Sequence, residues 1–165
     1  MAVGCTVSAL SLGGEHSCAL CSSGRVRCWG NGASGRLGYG NTNSIGDDET
    51  PELAGEVRIG AKATQISAGG QHNCALTESG SVVCWGEASS GQLGYGDTTD
   101  VGATFNPSLA GSVNVGASVS QVATGSAHTC ARLTTGAVRC WGLGSGGALG
   151  YGNTNNVGAT NEPAD

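Results

Sequence analysis

Short apolar runs separated by glycine-rich turns fill this chain, and they come in sets. In the clearest set the runs read ATQISAG, HNCALT and SVVCWG. Short runs that alternate apolar and polar residues between turn residues are typical of β-strands. A longer connection follows them, and then a fourth candidate strand, LAGSVNVG. The pattern predicts an all-β fold whose unit offers four candidate strands.

The unit occurs three times, at a fixed interval of 56 residues. Histidines, tryptophans, tyrosines and six of the eight cysteines keep this interval. The histidine and aromatic members are His16, His72 and His128, Trp29, Trp85 and Trp141, and Tyr39, Tyr95 and Tyr151. A period of this size with strand-like content indicates one supersecondary unit copied three times. We expect one segment over residues 1–165, with repeats at about 3–58, 59–114 and 115–165, in which the repeated histidines and tryptophans are structural.

The turn between the second and third candidate strands sets the register of each unit. Its three versions are Ser22-Ser23-Gly24, Glu78-Ser79-Gly80 and Thr134-Thr135-Gly136. This is the pattern of a three-residue hairpin loop that ends on a left-handed glycine. Counting from the loop places Cys74 opposite Cys84, at a site where Cα atoms lie about 4.5 Å apart and a disulfide fits. The sequence predicts three disulfides, Cys18–Cys28, Cys74–Cys84 and Cys130–Cys140, against the alternative of six buried free thiols.

Two further cysteines, Cys5 and Cys21, occur only in the first copy. Folding the first candidate strand back through Gly13-Gly14-Glu15 brings position 21 opposite position 7, diagonal to Cys5. A fourth disulfide, Cys5–Cys21, is therefore predicted.

The units GGQHNCALTESGSVVCWG and SSGQLGYGD resemble repeats of the regulator-of-chromosome-condensation type, especially its cysteine-containing bacterial variety. The resemblance extends over nearly the whole chain. It implies a β-propeller with blades that are four-stranded antiparallel sheets around a central axis. Propellers of that family usually have about seven blades, whereas this chain has three units. We expect a fragment or, preferably, a partial ring completed by oligomerisation as a dimer or trimer, because exposed strand edges and apolar faces favour association.

Composition and charge narrow the range of partners. The net charge is −5, the pI is near 5.0, and the seven Lys and Arg residues form no block, which argues against nucleic acid. No apolar run approaches the roughly 20 residues that span a bilayer, which argues against a membrane. The start, MAVGCTVSAL, lacks the features of a signal peptide, although eight cysteines fit an oxidising compartment. We expect an excised or engineered segment, beginning at Met1, of a parent protein that was exported.

The sequence offers no strong chemical site. The histidines lack a regular metal-binding spacing, and the CxxC string Cys18-Ala19-Leu20-Cys21 sits in a predicted strand where Cys28 competes for Cys18. The turns at Asn41, Asp97 and Asn153 lack the oxygen-ligand density of a calcium loop. No nucleophile, base and orienting group form a unique set. We expect no metal, no cofactor and no enzymatic activity.

Positions that differ between the copies are the candidate partner surface. Asp47, Asp48 and Glu49 of the first copy become Ala103, Thr104 and Phe105 in the second, and Arg36 becomes Gln92 and then Ala148. Loops on a rigid scaffold carry recognition, although drift on a solvated rim explains the same variation. The first hypothesis is a non-enzymatic binding or scaffold module that self-assembles into a closed ring. The second is a purely structural or engineered propeller fragment with no partner beyond itself.

Overall fold

The computed structural model describes residues 2–164 and contains three antiparallel sheets of three strands each. The strands are β1 (Val7–Leu12), β2 (His16–Cys21), β3 (Val26–Gly30), β4 (Ala63–Ala68), β5 (His72–Thr77), β6 (Val82–Gly86), β7 (Val119–Thr124), β8 (His128–Leu133) and β9 (Val138–Gly142). One short helix, α1 (Pro51–Ala54), and three 3-10 turns at Ala33–Gly35, Pro107–Leu109 and Ser145–Gly147 lie in the connections. The predicted all-β fold is confirmed.

The prediction of a fourth strand in each sheet is wrong. Val57 and Val113 each form a single antiparallel bridge, to Val26 and Val82. Glycines with positive φ flank both positions; around Val113 they are Gly111 at +77° and Gly116 at +81°. Since this conformation breaks an extended backbone, pairing cannot continue past the one bridge.

The hairpin register follows from the three-residue loops. In the second sheet Gly80 has a φ of +78°, and the Thr77 N–H donates to the Ser81 carbonyl at 2.9 Å. Counting from this closing pair, Leu76 lies opposite Val82. The other two sheets repeat the register. The loop chemistry is therefore sufficient to align the two strands.

The first strand of each sheet carries a bulge. In the first sheet Leu12 pairs with Ser17, and the register shifts by one residue between Val7 and Ala9. Position 7 thereby comes to lie opposite Cys21, as the sequence predicted, although the predicted turn at residues 13–15 would have paired Leu12 with His16 and needed no bulge. The bulge bends the strand and places Cys5 beside Cys21.

The sheets pack side by side without shared ladders, and the first strand of each contacts the first strand of the next. A continuous apolar core runs through all three sheets. The middle sheet is the most enclosed, because every residue of β5 and β6 is buried. Within the described part of the chain, no helix has the length and hydropathy needed to cross a membrane.

Candidate binding surfaces at the sheet junctions and the open faces

His16 and His72, which open β2 and β5, each reach into the following sheet. His16 Nε2 lies 2.9 Å from Asn73 Oδ1, and Asn73 Nδ2 donates to the Arg36 carbonyl at 2.7 Å. Since the Asn73 amide nitrogen is committed to that carbonyl, its oxygen must accept from His16, which fixes the proton on Nε2. The first junction is therefore joined by a buried polar chain.

The second junction repeats this arrangement with a different residue. His72 Nε2 lies 2.9 Å from Thr129 Oγ1, and that hydroxyl donates to the Gln92 carbonyl at 2.9 Å. The hydroxyl has one proton, so it accepts from His72, and the proton again sits on Nε2. The predicted structural role of these histidines is consistent with both contacts.

Burial keeps these imidazoles neutral. Desolvation lowers the pKa of His72 to about 4, and the nearby His16 and His128 add to the effect. Desolvation also lowers the pKa of His16, although its hydrogen bond to Asn73 opposes the shift. Neither Nδ1 atom has a hydrogen-bond partner among the described residues. A second proton on either ring would therefore be a buried, unpaired charge.

Arg36 and Gln92, which the sequence placed on a partner surface, are instead buried in these junctions at 3% and 1% exposure. Arg36 Nη1 contacts the Glu15 carboxylate at 3.3 Å, and its Nη2 donates to Gln71 Oε1. Gln92 Nε2 donates to Glu87 at 3.4 Å. The Arg36 side chain thus contacts the next repeat and the Gln92 side chain contacts its own repeat, and both are too buried to form an exposed partner surface.

Trp85 and Trp141 each lie under a glycine of the preceding repeat. A Cβ built on Gly38 would lie 2.9 Å from Trp85 Nε1, and one on Gly94 would lie 2.7 Å from Trp141 Nε1. Trp85 Nε1 also donates to the Arg36 carbonyl at 3.1 Å. Both rings are fully buried. The glycines of the LGYG loops are thus needed for close approach to the next sheet.

Trp29 has no such cover and is only partly buried. It lines an open groove of about 640 Å³ together with Ile45, Gly46, Asp47 and Pro51. This groove occupies the place that the LGYG loop of a preceding repeat fills at Trp85 and Trp141. We call it the Trp29 socket.

The same face exposes the first strand. Leu10 and Leu12 are 62% and 70% exposed, whereas Ile66 and Val122, which stand at the position of Leu10 in the other sheets, are 7% and 1% exposed. The difference arises because the second and third sheets each have a sheet in front of them. The first sheet's face is therefore an uncovered blade junction.

The third sheet ends in the opposite kind of face. In the loop that carries its LGYG sequence, a Cβ built on Gly147 or on Gly150 would have no atom within 4 Å. Tyr151 of the same loop is 47% exposed. The equivalent Gly35 lies against Gly102 and Ala103 of the next sheet, with atoms 2.1 Å from its built Cβ. The chain thus presents an empty socket at one end and a free loop at the other.

The tyrosines and disulfides stabilise each unit internally. Tyr95 Oη accepts from the Cys84 N–H at 3.1 Å and donates to the Cys84 carbonyl at 3.1 Å, and Tyr39 and Tyr151 make the same pair of bonds to Cys28 and Cys140. The structure contains disulfides at the four predicted pairs, Cys5–Cys21, Cys18–Cys28, Cys74–Cys84 and Cys130–Cys140. The three hairpin bridges have Cα atoms 4.1 Å apart.

The remaining candidate surface residues lie on the rim. The carboxylates of Asp47, Asp48 and Glu49 come within 4.8 Å of one another, and the hydrogen bond with Asp48 raises the pKa of Glu49. Asp47 and Asp48 are exposed, and Asp47 lines the Trp29 socket. Phe105, at the place of Glu49 in the second repeat, is partly buried against the core. Phe105 is therefore less accessible to a partner than Asp47 and Asp48.

The sequence did not single out the residues that connect the sheets at their first strands. The Gln65 side chain holds the Val122 backbone from both sides, with Nε2 donating to the carbonyl at 2.7 Å and Oε1 accepting from the N–H at 3.1 Å. Ser67 Oγ also accepts from the Thr124 N–H at 3.0 Å. These positions differ between copies, and only their contact partners distinguish them from surface residues.

The first strands of the three sheets contact one another in series, and Trp85 and Trp141 are enclosed where one sheet packs against the next. These features define a propeller-type repeat assembly. The family model described as regulator of chromosome condensation (RCC1) repeat matches residues 7–36, 63–92 and 119–148, and a second model of the same description matches residues 23–76 and 79–132. The chain belongs to this repeat family.

The relatives are much longer than this chain. The probable E3 ubiquitin-protein ligase HERC6 of Homo sapiens is 36% identical over 157 residues, which cover 95% of this chain and 15% of the relative. The ultraviolet-B receptor UVR8 of Arabidopsis thaliana is 32% identical over 150 residues, covering 91% of this chain and 32% of the receptor. The chain thus spans about a third or less of these proteins.

Solved structures show the same fold. Yeast RCC1 (Prp20), in a crystal structure with Kap60 bound, matches 96% of this chain and 37% of its own chain, with 19% identity and a TM-score of 0.70. Human WBSCR16 matches 84% of this chain and 33% of its own, with 24% identity and a TM-score of 0.67. The fold is that of RCC1-type β-propellers.

Proposed function

We propose that this chain is a non-enzymatic binding and scaffold module that assembles with copies of itself into a closed ring, as a dimer or a trimer. The observation that carries the proposal is the pair of unlike open faces. Each face corresponds to one side of the junctions that are closed inside the chain, so the two faces complement each other. A heterologous contact of this kind gives a ring when the rotation closes.

The non-enzymatic part of the proposal rests on what the repeated residues do. His72, Trp85 and Tyr95 have their polar atoms or ring faces engaged in packing within or between sheets. A residue used three times to hold a repeat is not free for a single reaction centre. The ligase named among the relatives shares only the repeat segment with this chain.

The native mass tests self-assembly directly. Sedimentation equilibrium and native mass spectrometry over a concentration series are expected to give a multiple of 16.1 kDa. A species of two or three chains would support the ring, and the absence of larger species would show it closes. A chain that stays monomeric at every concentration would leave the alternative, a structural fragment with no partner beyond itself.

A further protein partner is the second part of the proposal. Prp20p of Saccharomyces cerevisiae, which has this fold, binds Gsp1p and histones, and a protein is the class of partner we infer here. The exposed carboxylates of Asp47 and Asp48 and the net charge of −5 favour a basic protein surface. A pull-down with immobilised chain should lose its captured protein on Asp47→Asn plus Asp48→Asn, and retain it on Asp97→Asn, a matched exposed carboxylate of the next repeat. Equal capture by all variants would exclude the acidic rim as the contact.

A further inference from the structure

The closed junctions inside the chain are templates for a junction between two copies. Each inter-sheet contact joins a residue to a partner in the following sheet, and the same positions exist at the open faces. The second junction joins the second sheet to the third. If each of its contacts is shifted forward by one repeat of 56 residues, the same contacts join the third sheet to the first sheet of another copy. This deepens the proposed function and rests on it.

We propose that the free loop at residues 147–151 docks in the Trp29 socket of a second copy. In the closed junctions Gly38 covers Trp85, and Gly94 covers Trp141. Gly150 is the next glycine in this series, and Trp29 is the tryptophan that no glycine of a preceding repeat covers. The occupant is therefore an uncharged loop whose LGYG sequence, residues 149–152, is identical to those that fill the two closed sites.

The polar contacts of the closed second junction also have equivalent residues at the two open faces. His128 corresponds to His72, and Ser17 of the second copy offers the hydroxyl that Thr129 supplies. Gln121 corresponds to Gln65, is exposed, and would hold the backbone of Leu10 of the second copy as Gln65 holds Val122. Docking would thus pair side chains that are open at both faces.

The apolar surface agrees with the same register. Leu10 is 62% exposed in one chain, while Ile66 and Val122 at its position are covered. Docking of a second copy would bury Leu10 and Trp29 together. This burial favours association, because a single chain exposes that apolar surface to water.

The N-terminal segment makes the same backbone contact in the first repeat as the segment around Arg58 makes in the second. The Glu52 N–H donates to the Ala2 carbonyl at 3.3 Å, as the Ser108 N–H donates to the Arg58 carbonyl at 2.9 Å. In the closed junctions the segment around Arg58 continues from the preceding sheet, where Val57 bridges Val26. The N-terminal segment is thus held against α1, whose first residue, Pro51, lines the Trp29 socket.

One pair of positions gives a sharp test. Ala148 is exposed and stands where Arg36 and Gln92 lie, and Arg36 donates to Gln71 across its junction. The position of Gln71 in the first sheet is Glu15. In the docked pair Ala148 of one copy therefore faces Glu15 of the other.

Ala148→Arg should tighten association about two- to threefold, because its guanidinium becomes a second cationic partner of a Glu15 carboxylate that already contacts Arg36 of its own chain. Ala148→Glu should weaken it about tenfold or more, because two carboxylates face each other. Ala117→Glu, at an exposed alanine between the second and third sheets, is the matched control and should leave the dissociation constant unchanged. Both test positions are solvent-exposed in one chain, and circular dichroism checks that each variant folds.

A mixing experiment tests the polarity of the contact. Ser17→Arg blocks only the first sheet's face, and Ala148→Glu blocks only the third sheet's face. Each variant alone should be monomeric in sedimentation at concentrations where the wild type associates, and an equimolar mixture should give a dimer with one copy of each. A mixture that stays monomeric would overturn the head-to-tail contact.

The outcomes separate this inference from the proposed function. A wild type that is monomeric throughout would overturn self-assembly and the socket contact together. If the Ala148→Glu and Ser17→Arg variants each assemble as well as the wild type does, self-assembly stands, but the Trp29 socket is overturned as its site. A loss with Ala148→Arg as large as that with Ala148→Glu would overturn the register.

Discussion

The His72 imidazole lies between two sheets, with Nε2 bonded to Thr129 and Nδ1 facing no acceptor among the described residues. Its pKa falls from 6.5 to about 4 because burial disfavours the charged ring. The unfolded chain therefore binds the proton more tightly. The stability that His72 contributes is complete above pH 6.5 and is lost as the pH falls from 6.5 towards 4.

Between pH 7 and pH 4.5 the loss should amount to roughly 2 kcal/mol of unfolding free energy from His72 alone. Urea unfolding with disulfides intact, at pH 7 and at pH 4.5, measures it. His72→Gln should lower stability at pH 7 and flatten the pH dependence. His128→Gln is the matched control, because that ring lies at an open face, and it should leave most of the drop in place. An unchanged slope in His72→Gln would contradict the assignment.

Tyr95 holds both backbone polar groups of Cys84, and burial raises the pKa of its phenol to about 12. Tyr95→Phe leaves a buried N–H and carbonyl without that partner, so we expect a loss of about 1–3 kcal/mol in unfolding free energy. Thermal or urea unfolding measures the loss. Tyr151→Phe removes only the two bonds to Cys140, from a half-exposed ring where water can replace the hydroxyl, whereas Tyr95 Oη also lies 3.2 Å from the Gly111 carbonyl; Tyr151→Phe should therefore cost less. Equal losses would show that the hydroxyl's burial is not the cause.

At the scale of the elements, the hairpin disulfides have their effect within one sheet. Cys74→Ala plus Cys84→Ala opens a loop of 10 residues in the middle sheet and should cost about 2–3 kcal/mol in the chain-entropy model. The register of β5 and β6 should remain, because the three-residue loop also sets it. Urea unfolding gives the loss, and nuclear magnetic resonance of cross-strand contacts such as Leu76 with Val82 reports the register. A shifted register would show that the bridge, and not the loop, aligns the strands.

The sequence was sufficient for the elements that local chemistry determines. The loop ending at Gly80 fixes the strand alignment, and alignment fixes which cysteines meet. It was insufficient for the fourth strand, since the left-handed glycines around Val113 limit pairing to one bridge. Arg36 was misplaced for a different reason. A long polar side chain at a variable position looks like surface, and only the contact between sheets shows that it is buried.

The candidate site followed the same division. The repeated Trp29, Trp85 and Trp141 could be recognised as packing residues from their interval alone. The sequence could not show that Trp29 is uncovered while the other two are enclosed, because exposure depends on which sheet lies in front. The binding surface thus depends on the order of the repeats, whereas their composition is nearly constant.

At the scale of the whole molecule, stability is expected to follow the number of neighbours that each sheet has. In a serial array each unit contributes its own stability and shares interface terms with adjacent units. The second sheet has two closed junctions, so every residue of β5 and β6 is buried, while five of the six residues of β1 are exposed. Hydrogen exchange measured by mass spectrometry should be slowest in β5 and β6, intermediate in β8 and β9, and fastest in β1.

Concentration provides the control for this order. If copies associate through their open faces, a concentrated sample should slow exchange in β1 and leave β5 almost unchanged, because β5 has no open face left to cover. Dilution should reverse the effect. Uniform exchange across the three sheets would mean that the chain unfolds as one unit, and the junctions would then be too strong for an open end to behave differently from the middle.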